Sequence, residues 1–168
     1  MNVVTQWNQM KRQTGHATGA WLATGHWHPP APVQSLEERQ VLSMERAFRG
    51  HGGLASGEDL SLRLRARCDQ PISLLARWIV SRTILSVSWR TQTLIPMFQF
   101  DPHDMSLRPS VTQVFGELRD VFDDWELALW FAQPNAWLKD ASPVDLLVID
   151  PAAVLDAARA DRFVARGC

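Results

Sequence analysis

The sequence predicts a mainly α-helical protein: a helix-turn-helix with a β-hairpin wing, followed by a small helical bundle. Three observations carry this expectation. Apolar residues recur at helical spacing over most of the chain beyond residue 35. Pro71, Pro109, Pro143 and Pro151 each stand where a helix would begin, a position that tolerates the missing N–H. Between residues 84 and 100 the apolar spacing changes to two, as in paired strands.

Residues 1–35 show no sustained period and end in HPPAPVQ, which reads as a mobile N-terminal arm closed by a proline-rich linker. Trp7, Trp21 and Trp27 argue for partial docking of that arm, because indole rings usually rest on a surface. Ser35 is a candidate cap for LEERQVLSMERAF, with Gly50, Gly52 and Gly53 as its stop. Ser56 caps the next helix, with Glu58 and Asp59 in its first turn and its end expected near Asp69. Pro71 opens ISLLARWIVS, whose expected buried stripe is Ile72, Leu75, Ala76 and Ile79. ILSVSW and LIPMFQF then alternate around RTQT as a hairpin, and Pro96 would place the second strand at an edge.

The remaining segments are helical. VTQVFGELRDVF follows Arg108-Pro109, and WELALWFA follows Asp123 or Asp124. Pro134-Asn135 then breaks the chain, and VDLLV and AAVLDAARADRFVA follow Ser142-Pro143 and Asp150-Pro151. WELALWFA is apolar nearly all round, so it must be covered by its own domain or by another chain.

The 168 residues fit one domain or two very small ones, and 46% of them are apolar. No apolar run is long enough for a membrane span, so no membrane role is expected. The opening residues lack the apolar stretch of a secretory signal, and Cys68 and Cys168 are too few for a disulfide framework. These features together predict a cytoplasmic protein. The formal charge of −1 conceals segregation. Residues 39–99 carry nine arginines and four acids, whereas residues 100–168 carry six basic and twelve acidic residues. Opposite polarity in successive segments predicts two surfaces for different partners, set against the alternative of solvated charge without a patch.

The basic segment reads as a DNA module, with the second helix in the major groove and the hairpin on the backbone. Arg63, Arg65 and Arg67 lie before the inter-helix turn, and Gln70 and Ser73 lie at the start of the second helix. Arg77 and Arg82 follow, and Arg90 marks the hairpin tip. A guanidinium fork suits both phosphate and guanine edges. Plain scaffolding is the competing reading, and Trp78 and Trp89 are read as core.

From Leu94 onward another pattern emerges. IPMFQFD, Trp130-Phe131, Pro134-Asn135, Trp137-Leu138, the run Pro143 to Leu147 and a last helix reaching Gly167 occur in order over about 70 residues. This set resembles the toxin-binding domain of the Xre/MbcA/ParS antitoxins. The resemblance implies an antitoxin of a type II toxin–antitoxin system that neutralises a RES-type, NAD-consuming toxin by direct binding and represses its own operon. It implies toxin contacts at Trp130, Asn135, Trp137, Arg162, Phe163, Arg166, Gly167 and Cys168. Core packing is the competing role for the aromatic residues, and a frayed tail for the last ones. The chain departs from many relatives in its short, winged DNA module and in its N-terminal arm.

The expected organisation is therefore an arm over 1–35, a winged helix-turn-helix-like DNA-binding module over 36–100, and a helical toxin-binding or dimerisation domain over 101–168. The expected partners are a RES-type toxin, operator DNA and a second copy of the chain, since operator recognition favours two-fold symmetry. A stand-alone DNA-binding regulator without a toxin is the alternative, and an adaptor without nucleic acid is the third reading. No enzyme, cofactor or metal is expected. Phosphate-loop, dinucleotide and nucleophile-elbow motifs are absent from the sequence. His16, His26 and His28 lack partners at zinc spacing, Cys68 has no nearby histidine in sequence, and Asp101, His103 and Asp104 read as a polar turn.

Overall fold

The computed structural model describes residues 35–167. The expectations for the arm, including its tryptophans and His16, His26 and His28, lie outside the described residues, as does that for Cys168. Helices α1 (Leu36–Phe48), α2 (Gly57–Leu64), α3 (Pro71–Val80), α4 (Pro109–Leu118), α5 (Asp124–Ala132), α6 (Pro143–Leu146) and α7 (Pro151–Ala165) surround a sheet of β1 (Leu54–Ser56), β2 (Val87–Trp89) and β3 (Gln92–Pro96). The described part of the protein is thus mainly helical with one small antiparallel sheet.

Local chemistry sets the helix starts. Ser35, Ser56 and Asp123 each accept from the backbone N–H three residues on, and Glu38, Asp59 and Glu126 return a bond to the cap's own N–H. These reciprocal pairs satisfy donors that a helix leaves open at its first turn. Pro71, Pro109, Pro143 and Pro151 all occupy first-turn positions, as expected. Of the residues before the last two, only Asp150 caps with its side chain; the Ser142 hydroxyl donates to Ala132 O instead. The helix after Ser56 stops at Leu64, short of Asp69, so the polar stretch 65–70 forms a longer turn than expected.

The sheet order is β1–β3–β2, which corrects the position of Pro96. The strand that contains it is central, because the unforeseen β1 pairs along its other side. Pro96 is tolerated there for a geometric reason. Met97 N–H donates to Gly53 O at 2.9 Å on the β1 side, so the nitrogen of Pro96 faces the β2 side. The pairing with β2 has already ended at Val87 and Leu94. The wholly buried Gln99 side chain takes over: its Oε1 accepts from Leu85 N, and its Nε2 donates to Leu85 O and Pro96 O, all within 2.8–2.9 Å. One amide thereby continues a ladder that a proline cannot.

Two apolar cores result. The larger contains Met44 and Phe48 of α1, Leu85, Val87 and Phe98, together with α4, α5 and α7. Its centre is a run of rings, Phe48 to Phe98 at 5.0 Å, Phe98 to Phe131 at 4.7 Å, and Phe131 to Phe115 at 5.8 Å. Each buried phenylalanine of this kind contributes about 2 kcal/mol, with a further increment from tilted ring pairs. The smaller core joins α2, α3 and β3 through Leu60, Leu64, Leu75, Ile84 and Ile95. Residues from both sides of the expected division at residue 100 share each core: α1 packs with the late helices, and Met105 and Leu107 pack with the early ones.

WELALWFA is covered by its own chain, with every residue from Leu127 to Ala132 buried. On α3 the expected stripe is displaced. Leu75 is buried and Trp78 and Ile79 pack beside it, but Ile72 is 68% exposed and Ala76 is exposed. The helix is apolar enough that spacing alone leaves two faces in competition.

Candidate binding surfaces

The arginines of residues 39–99 are not all available to a nucleic acid. Arg82 lies just after α3 in the left-handed region, with φ 50°. Its guanidinium donates to Asp124 Oδ1 at 2.8 Å, Arg119 O at 2.9 Å and Phe122 O at 3.0 Å, clamping α3 to the turn between α4 and α5. Arg90 is at the hairpin tip, as expected, but it pairs with Glu38 at 2.6 Å and lies 4.3 Å from the Trp89 ring centre. Arg67 donates to His103 O. Of the three, Arg82 alone pairs with a carboxylate of the acidic segment.

Arg65, Gln70, Ser73 and Arg77 are exposed on α2, α3 and the turn between them. Arg63 is also exposed, but it lines a cavity on the side of α6. The outer face of α3 alternates between polar Ser73 and Arg77 and apolar Ile72, Ala76 and Val80, of which Val80 is 85% exposed. One arginine among three apolar residues gives this face little phosphate-neutralising power.

The carboxyl-terminal region is built around a residue that sequence reading missed. Asp161 of α7 is completely buried. Its Oδ2 accepts from Trp130 Nε1 and Asn135 Nδ2, both at 2.8 Å, and its Oδ1 accepts from Trp137 Nε1 at 3.0 Å. No cation pairs with it among the described residues. Asn135 also accepts from Trp137 N at 2.8 Å, so the break after α5 is held from both sides. Asp161 was hidden in the sequence because an acid in ARADRFVAR reads as part of a solvated helix face.

This network divides the residues expected to contact a toxin. Trp130 and Asn135 are buried and serve as scaffold. Trp137 is 55% exposed although its indole N–H is tied down, and Val164, one turn beyond Asp161, is also exposed on that face. Phe163 is 64% exposed. Arg166 and Gly167 are exposed, whereas Arg162 pairs with Glu117 of α4, next to the Arg159–Glu117 bond of 3.1 Å. Arg162 and Arg166 therefore do different work, although four-residue spacing placed them on one face.

The third feature is a cavity of about 400 Å³ between the turn Gly50–Gly52, the segment 97–108 and α6. The backbone at its rim is tight: Gly52 has φ 94°, and a methyl group there would lie 2.8 Å from Met97 Cβ. The chain matches no protein-family model, no curated protein and no solved structure.

Among the described residues no group of histidine, cysteine and acidic side chains could hold a metal, and no helix is long and apolar enough to cross a membrane.

Proposed function

We propose that the protein is the antitoxin of a type II pair and neutralises a RES-type toxin by direct binding through its carboxyl-terminal face. The observation that carries the reading is Trp137: a large ring, fixed by a buried carboxylate yet open to solvent. Such a side chain loses little freedom when a partner covers it, which is the property of a binding anchor. Exposed Phe163, Val164 and Arg166 extend the surface along the last turn of α7. The partner class comes from the resemblance of residues 94–167 to toxin-binding domains.

Co-expression with a RES-type toxin encoded beside the gene tests it. The wild-type chain restores growth and copurifies with the toxin. Phe163→Asp combined with Arg166→Glu, two changes at exposed side chains, abolishes both while the melting temperature stays unchanged. Equal protection by the double variant, or none by the wild type, overturns the reading.

A second activity, repression of its own operon as a homodimer, is favoured by the succession α2, α3, β2, β3, which is consistent with a winged helix-turn-helix. Arg65, Gln70, Ser73 and Arg77 are then the DNA contacts, while Arg82 and Arg90 are paired with Asp124 and Glu38. Operator binding that weakens with salt and is lost in Arg65→Glu/Arg77→Glu supports it. Unchanged operator affinity in that variant removes it. A regulator that acts without a toxin would bind operator DNA and fail the growth test.

A further inference from the structure

We propose that the cavity between Gly50–Gly52, Met97–Arg108 and α6 is a binding site for a small amphipathic anion, an apolar body bearing one carboxylate or phosphate. Its size, about 400 Å³, is that of sites that enclose a small organic molecule rather than a protein segment. Met97, Phe98, Phe100 and Leu147 supply an apolar wall, and His51, Arg63 and Arg108 bring the polar groups. Among the described residues no carboxylate lines it.

The acids nearest in sequence are turned to other work. Asp101 accepts from His103 N at 2.8 Å, Asp104 from Ser106 N at 2.9 Å, and Asp145 bonds His51 Nε2 at 2.9 Å. The two arginines remain without a carboxylate partner among the described residues. Arg108 donates through Nε to Phe100 O at 3.1 Å, which anchors the side chain without neutralising it. Arg63 makes no hydrogen bond or ion pair there. Two unneutralised guanidinium groups at the edge of an apolar hollow favour an anion with a hydrocarbon body over a neutral ligand or a cation.

The site also couples the two cores. Met97 and Phe100 belong to the smaller one, and Phe98, Val144 and Leu147 to the larger. A ligand seated there contacts both, so occupancy stabilises their junction by mass action.

Decanoate, decyl phosphate and decanol, each below its aggregation threshold, are the probes, followed by methionine-methyl NMR and calorimetry on the full chain. Decanoate or decyl phosphate shifts the Met97 and Met105 methyl signals and saturates, and the tighter of the two identifies the headgroup. Decanol binds at least about tenfold more weakly. Arg63→Glu weakens the anion about tenfold, and Val148→Trp, which fills the mouth without changing charge, weakens all three probes. Arg77→Glu, an equal charge change on α3, leaves binding unchanged. Decanol binding as tight as decanoate, equal loss in Arg77→Glu and Arg63→Glu, or unmoved Met97 and Met105 methyls overturns the proposal.

Discussion

Trp137 donates its indole N–H to Asp161 at 3.0 Å, so a ring more than half in solvent is held by a carboxylate with no exposure at all. The bond links the surface proposed for partner binding to the core beneath it. Asp161→Ala leaves the N–H groups of Trp130, Asn135 and Trp137 facing a void. Unfolding in urea should show a loss of about 2–4 kcal/mol. Trp137→Phe removes only one donor and should lose about 1 kcal/mol. Similar losses in the two variants would mean that Asp161 does not organise the site.

Gln99→Leu keeps the volume but strips three bonds from Leu85 and Pro96. The expected cost is about 3 kcal/mol or more, since the stranded backbone groups are buried. Hydrogen exchange checks the cause directly: the Leu85 amide should lose protection well beyond the global change in stability.

Arg82 offers a reversal of the usual ranking of alanine over glycine. Arg82→Ala loses the clamp on Asp124, Arg119 and Phe122 and still has a positive φ, whereas Arg82→Gly loses the clamp and relieves the backbone. Glycine should therefore be the more stable variant by about 1 kcal/mol in thermal or urea unfolding. If alanine is the more stable, the left-handed conformation at 82 is wrong.

Hydrogen bonds from Ser106, its hydroxyl first and then its backbone N–H, hold the Asp104 carboxyl below its ordinary 3.8. A folded value below the unfolded one favours the native state above the ordinary range, and that contribution fades as pH falls through the folded value. Asp104 is fully exposed, so the effect is best read locally. In a carboxyl-carbon NMR titration, Ser106→Ala should return Asp104 toward its ordinary value. An unmoved midpoint would assign the depression to another cause.

Much of the helical order was legible because it depends on neighbours in sequence. Ser35 with Glu38, Ser56 with Asp59, and the prolines at first-turn positions all report local chemistry. The failures share a different origin. β1 is three residues between glycines and becomes a strand only because β3 is there to pair with. Pro96 is central because Gln99 compensates for it, and no local rule links those two residues. The α3 stripe shifts because the smaller core takes up Leu75, Trp78 and Ile79 and leaves Ile72 and Ala76 outside, a choice that the spacing of so apolar a helix does not make. For the binding surfaces, the sequence points to Trp137 and Phe163, but nothing in it sets Asp161, which positions Trp137, apart from Asp156, the other acid of α7. Charge pooled by segment likewise does not show that Arg82 is paired with Asp124 and Arg90 with Glu38.

The larger core takes its first contributors, Met44 and Phe48, from the helix that opens the described region, and its last, Ala157 and Ala158, from the helix that closes it. During synthesis, α1 emerges long before the surfaces that shelter it exist. Its apolar side must wait through the making of more than half the chain, and closure of so long a loop comes before any reward in burial. Neither portion on either side of residue 100 inherits a finished interior, so these parts cannot be traded between proteins as self-sufficient cassettes. A protease cut in the 101–108 turn should release two pieces that refold together or not at all.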